Sequence, residues 1–137
     1  MKENLQDTKP IKSYKDLRVY QNTYEAMLIL HKEIIIRLPK EEKYDLVDQM
    51  RRCSKGIPAL IAEGFARRYQ KKSWNKYLED TIGEINEMQH HLDVCIDIYD
   101  RYIDIQKCQQ VKEIYTISAG QAYRLKSTWQ NFHESRQ

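Results

Sequence analysis

The stretch Gln49–Arg68, "QMRRCSKGIPALIAEGFARR", decides the fold. Met50, Cys53, Ile57, Leu60, Ile61 and Gly64 recur at spacings of three and four, the period of one helix face. Gly56 and Pro58 interrupt that pattern. Proline inside a helix costs about 3 kcal/mol or more, because it deletes a hydrogen bond and crowds the preceding turn. The apolar spacing nevertheless continues on both sides. The reading is a single helix that passes through Pro58 with a kink, absorbed by packing along its whole length.

Three more helices surround it. Ser13 and Asp16 make a capping-box-like start, and Leu17, Tyr20, Tyr24, Met27, Leu28, His31, Ile35 and Leu38 follow before Pro39 stops the run. The quoted helix opens near Glu41, with Leu46 as its first core position. A third runs from about Ser73 with Trp74, Leu78, Thr81, Ile85, Met88, Leu92, Ile96 and Tyr99. The fourth starts near Gln106 with Val111, Ile114, Ser118, Ala122, Leu125, Trp129 and Phe132. None of these stripes alternates as a strand does. The links at 38–42, 69–72 and 100–105 are short and favour antiparallel neighbours. The expectation is all-α: an up-down-up-down antiparallel four-helix bundle over residues 13–133. A flexible polar tail at 1–12 precedes it, and a short tail at 134–137 follows.

Bulk composition agrees. A chain of 137 residues with 41% hydrophobic content suits one core, and four Gly with three Pro leave little material for the turns of a β fold. No stretch approaches the roughly 18 apolar residues of a membrane span. The first twelve residues lack a secretory h-region, and Cys53, Cys95 and Cys108 have no disulfide or zinc spacing. These features point to a cytoplasmic protein with reduced thiols and no membrane partner.

Catalytic patterns are missing. The chain has no nucleophile elbow, phosphate-cradling glycine loop or Cys-His-Asn pattern. Glu87 and His90 have the spacing of a di-iron bundle, but the motif occurs once and both residues face away from the core stripe. Glu63 four residues before Arg67 reads as a surface ion pair. No catalytic residue, metal, cofactor or small-molecule substrate is expected.

Two surfaces remain. The outer side of the quoted helix carries Ala59, Ala62 and Ala66, where long charged side chains normally sit. Gly83 lies opposite the core stripe of the third helix, at a cost of about 1 kcal/mol relative to alanine. Close approach of a second copy accounts for both; helix propensity is the plain alternative for the alanines. The second surface is basic: Arg51, Arg52 and Lys55, then Arg67, Arg68, Lys71, Lys72 and Lys76 with Tyr69, Trp74 and Tyr77 among them. Such a patch suits phosphate contact with base stacking. A solvated loop with Trp74 in the core is the other reading.

"YDLVDQMRRCSKGIPALIAEGFAR" and "YLEDTIGEINEMQHHLD", with "DLRVYQ" upstream, resemble the four-helix-bundle proteins encoded in bacterial 23S rRNA intervening sequences. Gln49, Arg51, Arg52, Ile57, Pro58, Ile61, Ala62, Glu63, Gly64, Gly83 and Glu87 carry the likeness. Ala59 and Leu60 stand where that family has a small residue and Asn, and Thr81 and Glu84 replace its small Ala and Ser. That family is similar in turn to the accessory variability proteins of diversity-generating retroelements. The resemblance implies a homopentamer working beside RNA or a ribonucleoprotein, with a reverse transcriptase as a candidate partner, and no enzyme activity. A protein-only scaffold gripping an acidic partner is the alternative.

Overall fold

The structure is a computed structural model that describes the backbone of residues 10–136 and the side chains of residues 10–128. Trp129 and Phe132, assigned to the core of the last helix, therefore have side chains outside the described residues, as do the first nine residues of the N-terminal tail. Four long helices form a bundle, and no strand occurs among the described residues. They are α1 (Arg18–Ile29), α2 (Leu46–Phe65), α3 (Lys71–Ile98) and α4 (Ile105–Arg136). Each packs on two neighbours: α1 on α2 and α4, and α3 on α2 and α4. Helix α4 continues to Arg136, into the stretch read as a C-terminal tail.

The capping box at Ser13 forms, but it caps a 3-10 turn, Tyr14–Asp16, and not α1 itself. Leu17 is extended between the two, and α1 begins after it. The buried side of α1 is Val19, Thr23 and Ala26, one residue away from the expected stripe. Tyr24 and Leu28, expected in the core, are exposed. Helix α1 then passes into a wide π turn, Leu30–Ile34, and a 3-10 turn, Ile35–Arg37. A π turn inserts a residue into the helical count, so the buried stripe runs on through Leu30 and Ile34 and then takes in Ile35 and Leu38. Leu38 is extended before Pro39, as a residue preceding proline prefers. The second helix starts later than expected: Lys40–Glu42 is a separate 3-10 turn.

Helix α2 is continuous from Leu46 to Phe65 with Pro58 inside it and buried. Its expected core positions are buried except Leu60, which is half-buried, and Ser54 and Phe65 join them. At Gly64 the backbone of α2 meets α3 closely. A Cβ there would stand 2.6 Å from Tyr77 Cβ and 2.9 Å from Trp74 Cζ3. Helix α3 buries Trp74, Leu78, Thr81, Ile85, Met88 and Leu92 as expected, together with His91 and Cys95.

The core divides into two clusters. One gathers Leu30, Ile34, Met50, Ile57, Ile85, Met88, Leu92, Val111 and Tyr115 with their neighbours. The other holds Leu17, Val19, Ile61, Phe65, Trp74, Leu78 and Ala122. Buried Thr23, Thr81 and Ser118 satisfy their hydroxyls on carbonyls one turn back in their own helices. Cross-helix pairs link Glu79 to Lys126, Gln89 to Thr116 and Asp93 to Lys112. Others link Asn22 to Gln121 and Glu33 to Lys107.

Candidate nucleic-acid interface

The second core cluster marks one end of the bundle, because it packs the start of α1, the end of α2, the start of α3 and Ala122 of α4 together. Four helix segments thus deliver their side chains to one pole. From α2 and the turn after it come Arg67 and Arg68, and from α3 come Lys71, Lys72 and Lys76. The chain before α1 adds Lys12 and Lys15, α1 adds Arg18, and α4 adds Arg124 and Lys126. None of those last five belongs to a basic run in the sequence. Only the packing of helix ends reveals them.

These cations differ in freedom. Arg67 and Lys72 are exposed and form no ion pair with a described residue. Lys76 is held by Asp80 at 2.7 Å, and Lys126 by Glu79 at 2.8 Å. Arg68 is built into the fold: its guanidinium lies 4.0 Å from the Phe65 ring centre and 4.6 Å from that of Tyr69. It also donates to the Phe65 carbonyl at 2.9 Å. Trp74 is 1% exposed and stands edge-on to Phe65, so it serves the core and is not a stacking surface. Tyr69, with Arg68 over its ring, and Tyr123, beside Ala122 and Arg124, are each 63% exposed; Tyr77 is half-buried.

Arg51, Arg52 and Lys55 do not join this pole. Helical rise places Arg52 about 20 Å along α2 from Phe65. Arg52 is paired with Asp48 at 3.3 Å, while Arg51 and Lys55 are exposed beside His31 of the π turn. Ser54 Oγ donates its proton to the Arg51 carbonyl at 3.0 Å and lies 2.8 Å from His31 Nε2. With its one hydrogen used, Ser54 accepts from His31, which fixes the proton on Nε2. Burial first, and then Arg51 and Lys55, hold the His31 pKa below its ordinary value.

Residues 15–122, more than three quarters of the chain, match the 23S rRNA-intervening sequence protein family. The chain belongs to that family. No curated protein matches the sequence. The matched span covers the tail end of the capping turn, all of α1, α2 and α3, and α4 as far as the pole-facing Ala122, so most of the basic pole is part of the family region.

The alanine strip lies on the outside of α2. Ala59 and Ala66 are exposed and Ala62 is half-buried. Gly83 is exposed, and a Cβ there would meet nothing within 4 Å. The three thiols are free and buried. Burial pushes Cys95 up to about 12 and Cys108 up to about 11, so neither is a thiolate at neutral pH. A cavity of about 400 Å³ opens at the opposite end of the bundle, where Lys32, Arg37, Arg101 and Lys107 face Glu33 and Asp104. Glu33 already engages Lys107 at 3.3 Å. No helix among the described residues is long and apolar enough to cross a membrane.

Proposed function

We propose that this intervening-sequence protein is a non-enzymatic, self-associating four-helix bundle that binds RNA or a ribonucleoprotein through its basic pole. The observation that carries the reading is the convergence on one end of cations from α1, α3, α4, the chain before α1 and the turn after α2, with Arg67 and Lys72 in no ion pair among the described residues. The up-down-up-down course belongs to the same proposal, supported by cross-helix partners whose numbers fall on one helix as they rise on the next. So does a bend at Pro58, where α2 loses one backbone hydrogen bond. The family name supports an RNA context. The likeness to accessory variability proteins extends the proposal to a homopentamer serving a reverse transcriptase, and the free, buried thiols fit a cytoplasmic setting.

Self-association rests on the exposed alanine strip, on Gly83, and on Tyr24 and Leu28 of α1, apolar side chains left on the outside. In a ring the pole is repeated around one rim, so weak phosphate contacts add through avidity.

Fluorescence anisotropy with a structured RNA across a salt series tests the reading. Affinity falls steeply with salt, because each phosphate contact releases condensed counterions. Arg67→Glu with Lys72→Glu weakens binding by about tenfold or more and flattens the salt dependence, nearly uniformly across sequences. Undiminished binding by that double variant removes the pole from the function and leaves the acidic-protein scaffold as the better reading.

A further inference from the structure

Away from the basic pole, α2 and α3 bring a thiol and two carboxylates to one point. Ligand atoms of Cys53, Glu84 and Glu87 all lie within 4.8 Å of one another. Cys53 is buried, and its Sγ stands 3.3 Å from the Glu84 carbonyl and 3.4 Å from Glu84 Oε2. In a tetrahedral zinc site with Zn–S near 2.3 Å and Zn–O near 2.0 Å, sulfur and oxygen stand about 3.5 Å apart. The separation between Cys53 and Glu84, bridged by an S–H···O hydrogen bond, also fits a shared cation. Glu87 is held from behind by His91, whose Nε2 lies 3.2 Å from Glu87 Oε2 and which is itself 6% exposed. Ligating carboxylates are commonly oriented by such partners.

A separate observation points to the same place. Tyr115 of α4 is fully buried, and its hydroxyl has no hydrogen-bond partner among the described residues. Burial, and then the field of Cys53, raise its phenol pKa. A buried hydroxyl left unpaired costs about 1–3 kcal/mol. The Cys53 thiol, already donating to Glu84, makes no hydrogen bond with the phenol. A water held on a metal beside Cys53 would supply an acceptor.

We propose that Cys53, Glu84 and Glu87 bind a zinc ion that ties α2 to α3, with water in the fourth position. The donor set of one soft sulfur and two hard oxygens selects zinc-like ions over magnesium or calcium. Binding breaks the Cys53 S–H bond; the proton leaves to solvent and the sulfur electron pair passes to the metal. No oxidation state changes. The site lies outside the RNA surface and does not depend on it.

Chelator-treated full-length protein titrated with Co²⁺ tests this. A thiolate-to-cobalt charge-transfer band in the near ultraviolet saturates at about one metal per chain, and Zn²⁺ bleaches it as it takes the same site. Proton release accompanies binding, so affinity rises with pH. Cys53→Ser abolishes the band, whereas Cys95→Ser and Cys108→Ser keep it. Glu87 is half-exposed, so Glu87→Gln preserves the fold and weakens zinc binding by about tenfold or more. Absence of the band in the wild type, or its survival in Cys53→Ser, overturns the assignment. Should Cys53→Ser fail to fold, unchanged zinc affinity in Glu87→Gln overturns it equally.

Discussion

The two ends of the bundle are built differently. At the end near Leu38 and Cys95 the core is the larger cluster, and two ion pairs bridge helices outside it: Glu33 with Lys107, and Asp93 with Lys112. Glu42 accepts a hydrogen bond from the Tyr99 hydroxyl and another from the Leu46 N–H, fastening the α1–α2 link to the end of α3. The basic pole has a smaller core that relies on two large rings, Phe65 and Trp74, and on the close approach at Gly64. Outside it, cations outnumber the acids that hold them. The Leu38 end sets the cations Lys32, Arg37, Arg101 and Lys107 among the acids Glu33 and Asp104. The other concentrates like charge over a compact aromatic core, and a polyanion relieves that repulsion.

The comparison breaks most directly at Gly64. An added Cβ meets backbone-proximal atoms of Tyr77 and the Trp74 ring, neither of which has room to withdraw. Gly64→Ala is therefore expected to lower stability by about 3 kcal/mol, the upper range for overpacking, read as a fall in the urea midpoint. Hydrogen exchange should speed first at the pole, around Trp74 and Leu78. An unchanged midpoint would mean that α2 and α3 are not in close contact there. Gly83→Ala serves as control, since nothing lies within 4 Å of its Cβ and alanine favours the helix.

The same contrast governs what the sequence discloses. Stripes on α2 and α3 are legible because large apolar residues such as Met50, Ile57, Ile85 and Leu92 repeat without interruption. The stripe on α1 is not, because its buried seam is filled by the small Thr23 and Ala26 while the larger Tyr24 and Leu28 point outward. Size misleads there, and the π turn then changes the phase. At the pole, runs such as Arg67–Arg68 and Lys71–Lys72 stand out in the chain. Lys15, Arg18, Arg124 and Lys126 join them only once helix ends are packed together. Trp74 is ambiguous in sequence because a tryptophan beside lysines serves a core or a base equally well. Glu84 and Glu87 share an i,i+3 spacing on α3, but Cys53 lies on α2 across the intervening turn, and no local spacing connects it to them.

A milder perturbation sharpens the division between inner and outer faces of α2. Gly64 faces in, while Ala62, two residues earlier, lies at the edge of the exposed strip. Ala62→Glu leaves helical circular dichroism nearly unchanged but shifts the light-scattering mass towards monomer, because burying an unpaired charge in a contact is costly. Wild-type protein that is already monomeric at micromolar concentration defeats the self-association reading outright.

The smallest expected effect is on pH, and it arises away from the basic pole, at His31 beside Ser54 of α2. Its folded pKa sits below the ordinary value near 6.5, because burial and then the cations Arg51 and Lys55 oppose a second proton. Between the folded and unfolded values the unfolded chain binds more protons, so stability is fully present above about 6.5 and declines as pH falls through it towards the lower folded value. The loss is shallow, since His31 is only partly buried and solvent screens the repulsion. Urea midpoints measured from pH 7.5 down to about 5.5, above the titration of ordinary carboxylates, should fall in the wild type and stay flatter in His31→Gln. Equal slopes would mean that the Nε2–H bond to Ser54 adapts to a charged ring without cost. A polyanion seated over Arg51 and Lys55 would reverse the balance by removing the repulsion that keeps His31 neutral. Binding RNA should then shrink the wild-type slope if phosphates reach that cluster, and leave it untouched if they stop at the pole.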